Sequence, residues 1–69
     1  MKISARNILK GKVIKVSEGA VNTEVVLELT GGAKVVSINS KETAKKLGLK
    51  IGKKAYAIIK ATNVIMAVD

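Results

Sequence analysis

Two short segments near the ends of the sequence carry side chains that suit the binding of an anion. Ser4 and Arg6 are two positions apart, and residues i and i+2 of an extended chain point to the same face. Arg6 is the single arginine among 13 basic residues, and its planar fork of donors fits an oxyanion. Lys60 and Thr62 repeat this spacing later in the chain. From spacing alone, the more frequent interpretation is that Arg6 is an ordinary surface arginine and that Lys60 is a lysine at the edge of a strand.

Several other kinds of chemistry are excluded by composition. The chain has no Cys and no His. This removes disulfides, thiol chemistry, zinc, haem and iron–sulfur ligation, and catalysis of the Ser-His-Asp or Cys-His type. Because no side chain of ordinary pKa near neutrality is present to act as a general base, we expect neither an enzyme nor a bound cofactor.

The formal net charge of +8 raises the question of an anionic partner. For most of the lysines, a solvated surface is as good an interpretation as a binding role. Nucleic acid is one candidate partner, but small β-barrel domains bind single strands by stacking the bases on aromatic side chains. Tyr56 is the only aromatic residue. A small anion needs only a few converging donors, so it is the alternative that the composition favours.

The hydrophobic pattern predicts a single domain over residues 1–69, made mostly of antiparallel strands. The clearest strand has Val21, Thr23, Val25, Leu27 and Leu29 on one face, with period two. Gly11 inside the first strand indicates a bend, a bulge or a barrel corner. The strands are predicted over residues 3–16, 20–29, 33–38, 54–60 and 63–68. Together with one helix, this order predicts an all-β, OB-like five-stranded antiparallel barrel.

The one predicted helix covers residues 40–47. Ser40 can act as its N-cap, and Gly48 stands where a helix-ending glycine belongs. Glu42 in the first turn, and Lys45 and Lys46 in the last, suit the helix dipole.

The size of the chain predicts an oligomer and its composition predicts a cytoplasmic protein. A domain of about 60 residues buries only about 60% of its unfolded surface, and small domains then need a disulfide, a metal or a partner subunit. The first two are excluded, and 48% of the residues are hydrophobic. No apolar run approaches the ~20 residues of a membrane span, and residues 1–6 lack the apolar stretch of a signal peptide. We expect no membrane partner.

A resemblance to a known family covers the whole chain. Residues 4–11 read Ser-Ala-Arg-Asn-x-Leu-x-Gly, which closely resembles the opening of the molbindins, small cytoplasmic molybdenum-binding proteins. Four further stretches resemble the family in order and without gaps. They are Glu-Val-Val-Leu-Glu at 24–28, Gly-Gly at 31–32, Val-Ser-Ile at 36–38 and Lys-Ala-Thr-Asn-Val at 60–64.

The resemblance implies an OB-like barrel, a homohexamer built as a trimer of dimers, and molybdate or tungstate held between subunits for intracellular storage or homeostasis. A first type of site would use Ser4, Ala5 and Arg6 of one subunit. Lys60, Ala61 and Thr62 would come from another. Many members have Ser where this chain has Ala61, so a backbone N–H would remain there without the hydroxyl.

A second type of site is implied near the symmetry axes, with mostly backbone donors. The resemblance places it at Gly19, Ala20 and Val21, with Ser37 nearby. No aromatic wall for a pterin is present, so the free oxyanion fits better than a molybdenum–pterin. The alternative function is a small basic OB-like nucleic-acid-binding or regulatory module, although no specific nucleic acid is expected.

Overall fold

The computed structural model describes residues 2–69 and contains four strands and one α-helix. The α-helix lies between the third and fourth strands, and a 3₁₀ turn follows the fourth. The elements are β1 (Asn7–Glu18), β2 (Asn22–Leu29), β3 (Lys34–Ser40), α1 (Lys41–Leu47), β4 (Lys54–Ile59) and the 3₁₀ turn (Ala61–Asn63). No helix formed by residues 2–69 has the length and apolar content needed to cross a bilayer.

The four strands form one antiparallel sheet in the order β3-β2-β1-β4. Val13, Val25 and Leu27 make the buried core on its concave side. The alternation predicted for β2 is confirmed over Thr23, Val25 and Leu27, which are all buried. Val21 was assigned to the same face but lies before the strand and is 74% exposed.

Strand β1 carries two special features, a glycine at position 11 that β2 approaches closely and a bulge a few residues later. A Cβ on Gly11 would lie 2.4 Å from the backbone oxygen of Glu28 and 2.9 Å from Cγ of Leu27. The register with β2 shifts between Val13 and Lys15, which marks a bulge. A bulge bends its strand and increases the local twist. The sheet therefore curls into a half-barrel, as the glycine in this strand indicated.

Helix α1 confirms the prediction from its end signals. The Ser40 side chain accepts a hydrogen bond from Thr43 N at 3.0 Å. Gly48 ends the helix with φ 65°, a left-handed conformation that glycine adopts at no steric cost. Ala44 is the buried residue of the helix and anchors it on the sheet.

The prediction of five strands is wrong for the single chain. Residues 63–68 were expected to form the fifth strand, but in the described part of the chain only the 3₁₀ turn follows β4. Residues 64–69, which follow the turn, belong to no strand or helix. Strands β3 and β4 remain open edges, so the single chain is not a closed OB-like barrel.

Candidate functional site

The segments 4–6 and 60–62 lie at the same end of the sheet. Segment 4–6 leads directly into β1, and segment 60–62 follows β4. The two strands are antiparallel, and their ladder closes with Asn7 opposite Ile59. Asn7 Nδ2 donates to the Ile59 oxygen at 3.2 Å and ties the two strand ends together. The register therefore brings the two segments, more than 50 positions apart in sequence, together at one end of a single chain, whereas the resemblance implied that they meet across two subunits.

The 3₁₀ turn presents backbone donors at this end of the sheet. Asn63 N donates to the Lys60 oxygen at 2.9 Å, and Val64 N donates to the Ala61 oxygen at 3.3 Å. Within residues 2–69, the N–H groups of Ala61 and Thr62 have no such backbone acceptor. Both are available to an anion, beside the exposed hydroxyl of Thr62.

The side chains at this end offer donors without a competing acceptor. Arg6 and Lys60 are exposed, and neither takes part in the side-chain hydrogen bonds found among residues 2–69. No carboxylate occurs in either segment. The described chain also holds no cluster of three or more His, Cys, Asp or Glu that could bind a metal ion. The arrangement is suited to an anion bound through hydrogen bonds.

The loop assigned to the second site connects β1 to β2. Gly19 N donates to the Asn22 oxygen at 2.7 Å, so this N–H is already used inside the turn. The N–H groups of Ala20 and Val21 have no backbone acceptor in the part of the chain described. Two of the three predicted backbone donors are therefore free in this loop.

Ser37 lies apart from that loop within one chain. The loop lies next to the pair formed by Asn22 and Ser40. Ser37 lies on β3 three residues before Ser40, opposite Val25. At ~3.3 Å per residue the separation along the strand is about 10 Å. The Ser37 hydroxyl also accepts a hydrogen bond from Asn39 Nδ2 at 3.0 Å. One chain does not bring Ser37 together with residues 19–21.

Asn7 is a positioning residue that sequence reasoning missed. Its side-chain amide, through the hydrogen bond to the Ile59 oxygen, joins the two strand ends from which segments 4–6 and 60–62 extend. Two signals were present in the sequence: Asn7 is a polar amide next to Arg6, and it belongs to the motif of residues 4–11 that resembles the molbindins. Neither signal names its partner, because the partner is 52 positions away.

Comparison with known proteins gives the family. A family model described as the TOBE domain matches residues 3–66. The chain belongs to the TOBE-domain family. A relative from Haemophilus influenzae, named a probable molybdenum-pterin-binding protein, is 51% identical to this TOBE domain over the full length of both chains. The resemblance to the molbindins is thereby confirmed.

Solved structures share the fold of this TOBE domain. MopII from Clostridium pasteurianum, in an apo form, matches with a TM-score of 0.92 at 46% identity, over 97% of this chain and 100% of that chain. The cytoplasmic molybdate-binding protein ModG, with molybdate bound, matches with a TM-score of 0.91 at 52% identity, over 94% of this chain and 46% of that chain. The half-barrel is thus a fold that MopII and ModG also adopt.

Proposed function

We propose that the chain binds molybdate or tungstate as the free oxyanion at the first site. The observation that carries the proposal is the meeting of segments 4–6 and 60–62 at one end of the sheet, with donors and no carboxylate. The names of the relatives support the ligand class: ModG is a molybdate-binding protein, and the Haemophilus influenzae relative is named for molybdenum.

The donor set matches the chemistry of molybdate. This tetrahedral dianion carries no proton at neutral pH, so its ideal host offers donors alone. Ser4 contributes a hydroxyl, Arg6 a guanidinium fork and Lys60 an ammonium group. The N–H groups of Ala5, Ala61 and Thr62 complete the set. Hydrogen phosphate carries a proton, and neither segment provides a carboxylate to accept it.

The site is proposed to lie between subunits. Five of its six residues are exposed in the single chain, and only Ala5 is half-buried. An anion bound there would stay in contact with water, where a high dielectric weakens each charged interaction. A second copy that covers this end of the sheet would exclude water and add its own donors.

The exposed tail supports association between copies. Ile65, Met66 and Val68 are 93%, 85% and 96% exposed. An apolar cavity of about 610 Å³ is lined by residues of both open edge strands, β3 and β4, and by the core. The tail of a neighbouring copy is suited to this gap, where it would supply the fifth strand that the single chain lacks.

The expected assembly is a homohexamer, a trimer of dimers. Sedimentation at micromolar concentration should show a species of about 44 kDa, six copies of the 7.3 kDa chain. Folding and association should be coupled, because so much apolar surface is exposed in one copy. A stable, folded monomer at this concentration would contradict the assembly and the intersubunit site together.

Selectivity among oxyanions tests the proposed function. Molybdate and tungstate should bind at least about tenfold, or about 1.4 kcal/mol, more tightly than phosphate, because neither segment has a carboxylate to accept the phosphate proton. Calorimetry with the three anions in one buffer measures the ratio. Phosphate affinity equal to that of molybdate would show that an acceptor is present and that the donor-only site is wrong.

A second oxyanion site is proposed at Gly19, Ala20 and Val21, with Ser37 supplied by another copy. The free N–H groups of Ala20 and Val21 are its donors, and Gly19 shapes the turn. We further propose a role in intracellular molybdenum storage or homeostasis, without catalysis, membrane attachment or a specific nucleic-acid partner. ModG, the matching structure, is a cytoplasmic protein, which supports the same location.

A further inference from the structure

A basic cavity of about 270 Å³ lies between α1 and the adjoining ends of β1 and β2. It shares no residue with the two oxyanion sites proposed above. Four of the twelve lysines line it, against one carboxylate, that of Glu18. The lysines are Lys41, Lys45, Lys50 and Lys53. Their charges and that of Glu18 give the cavity a net charge of +3.

The backbone that carries these lysines is held in place by hydrogen bonds. Lys41 and Lys45 are one helical turn apart on α1, and like charges at this spacing repel each other. Lys53 N donates to the Lys50 oxygen at 3.0 Å, and the Lys53 oxygen accepts from Val13 N at 2.9 Å. This second bond fixes the turn that carries Lys50 and Lys53 to the centre of β1.

The lysine side chains converge on the cavity from two elements. Lys53 Nζ lies 3.5 Å from the position that a Cβ on Gly48 would occupy, so its ammonium group folds over the end of α1. Lys41 is half-buried although it is charged. Lys45, Lys50 and Lys53 are exposed, and an anion bound among the four lysines would relieve the repulsion between their charges.

Thr23 adds an independent sign of a ligand. It is the buried polar residue of the chain, only 2% exposed, and it lines this cavity. No side-chain hydrogen bond among residues 2–69 uses its hydroxyl. In the same residues, no side-chain oxygen is both fully buried and unpaired, so the small exposed area of Thr23 includes the hydroxyl. A hydroxyl without a protein partner therefore belongs to a residue that lines the cavity.

The volume and the charge define the class of ligand. The volume of about 270 Å³ is more than one tetrahedral oxyanion fills. Glu18 is an acceptor, so the cavity suits an anion that is still partly protonated near neutral pH, as phosphate groups with a second pKa of about 6 are. We propose that this cavity binds a diphosphate group, with the lysines and Thr23 donating and Glu18 accepting the remaining proton.

Inorganic pyrophosphate is the probe for this site, measured by calorimetry at about 150 mM salt to suppress diffuse attraction. The double variant Lys45→Gln/Lys50→Gln should weaken binding about tenfold or more. The matched control Lys10→Gln/Lys34→Gln loses the same charge outside the cavity and should weaken it less than about threefold. Equal losses in the two double variants, or no binding by the wild-type chain at millimolar pyrophosphate, would overturn the proposal.

Thr23→Val tests the hydroxyl with little change of volume. It should weaken pyrophosphate binding severalfold while the thermal unfolding midpoint stays within a few degrees of the wild type. Unchanged pyrophosphate affinity in a folded Thr23→Val protein would remove the hydroxyl from the proposed site.

Competition experiments identify the source of the diphosphate. ADP that displaces pyrophosphate and binds more tightly indicates a nucleotide, whereas weaker binding of ADP indicates the free diphosphate. Either result supports the proposal. A single-stranded oligonucleotide that binds while pyrophosphate does not would overturn it in favour of a nucleic-acid surface.

The proposed pyrophosphate site can be tested independently of the proposed molybdate site. Lys45→Gln/Lys50→Gln should leave molybdate affinity unchanged, because neither lysine lies near segments 4–6 and 60–62. Arg6→Ala should leave pyrophosphate affinity unchanged for the same reason. Loss of both ligands in either variant would contradict the separation of the two sites.

Discussion

Arg6→Ala is expected to weaken molybdate binding by about 10- to 150-fold. A hydrogen bond from a charged donor contributes about 1.5–3 kcal/mol, and Arg6 supplies the only guanidinium in the chain. Lys60→Ala should have an effect of the same size. Arg6→Lys should also weaken binding, because an ammonium group cannot reproduce the fork. Calorimetry on the assembled protein measures each change.

The double variant Arg6→Ala/Lys60→Ala distinguishes a shared anion from two independent ones. If both side chains hold one dianion, the double variant should lose less than the sum of the single losses. Lys34→Ala, an exposed lysine on β3, is the control and should leave molybdate affinity within about twofold. Full molybdate affinity in either single variant would place the bound anion elsewhere, most directly at the loop of residues 19–21.

Gly11→Ala is expected to destabilise the half-barrel more than any surface substitution. The new Cβ would meet the Glu28 oxygen at 2.4 Å, and that oxygen belongs to the neighbouring strand and cannot move alone. Overpacking of this kind costs about 1–3 kcal/mol, or more where backbone must shift. In a domain of this size, each 1 kcal/mol lowers the unfolding midpoint by about 4–8 °C.

The control for Gly11→Ala lies on the same strand. Lys12 is exposed, and Lys12→Ala should change stability by less than about 0.5 kcal/mol. Both variants are compared with the wild type at one protomer concentration, because association shifts the midpoint. A midpoint for Gly11→Ala within two degrees of the wild type would mean that β1 and β2 separate at this point without cost.

Local features of the fold could be predicted from the sequence, and the closing of the sheet could not. The helix was predictable because Ser40 and Gly48 act on residues three or four positions away. The alternation of β2 was predictable because burial follows the pleat. Residues 63–68 have a strand-like composition, but a strand also needs a partner edge. In the described structure they pair with neither of the open edges, β3 and β4, and composition does not encode that outcome.

The candidate site, like the fold, could be predicted from the sequence only in part. Their spacing alone predicted that Ser4 and Arg6 share one face of the strand, and the resemblance to the molbindins assigned Lys60 to the same site. That Lys60 lies at the same end of the sheet follows from the pairing of Asn7 with Ile59, which is a long-range property of the register. The separation of Ser37 from residues 19–21 also follows from register, through the pair Asn22–Ser40. Neither relation can be predicted from the sequence unless the pairing of the strands is already known.

Native mass spectrometry with added molybdate is the most direct test of an oxyanion site between subunits, because it reports subunit number and bound ligand together. The account predicts hexamers that take up molybdate, and Arg6→Ala hexamers that take up fewer oxyanions under the same conditions. Monomers carrying molybdate, or Arg6→Ala hexamers with the wild-type number of oxyanions, would contradict it.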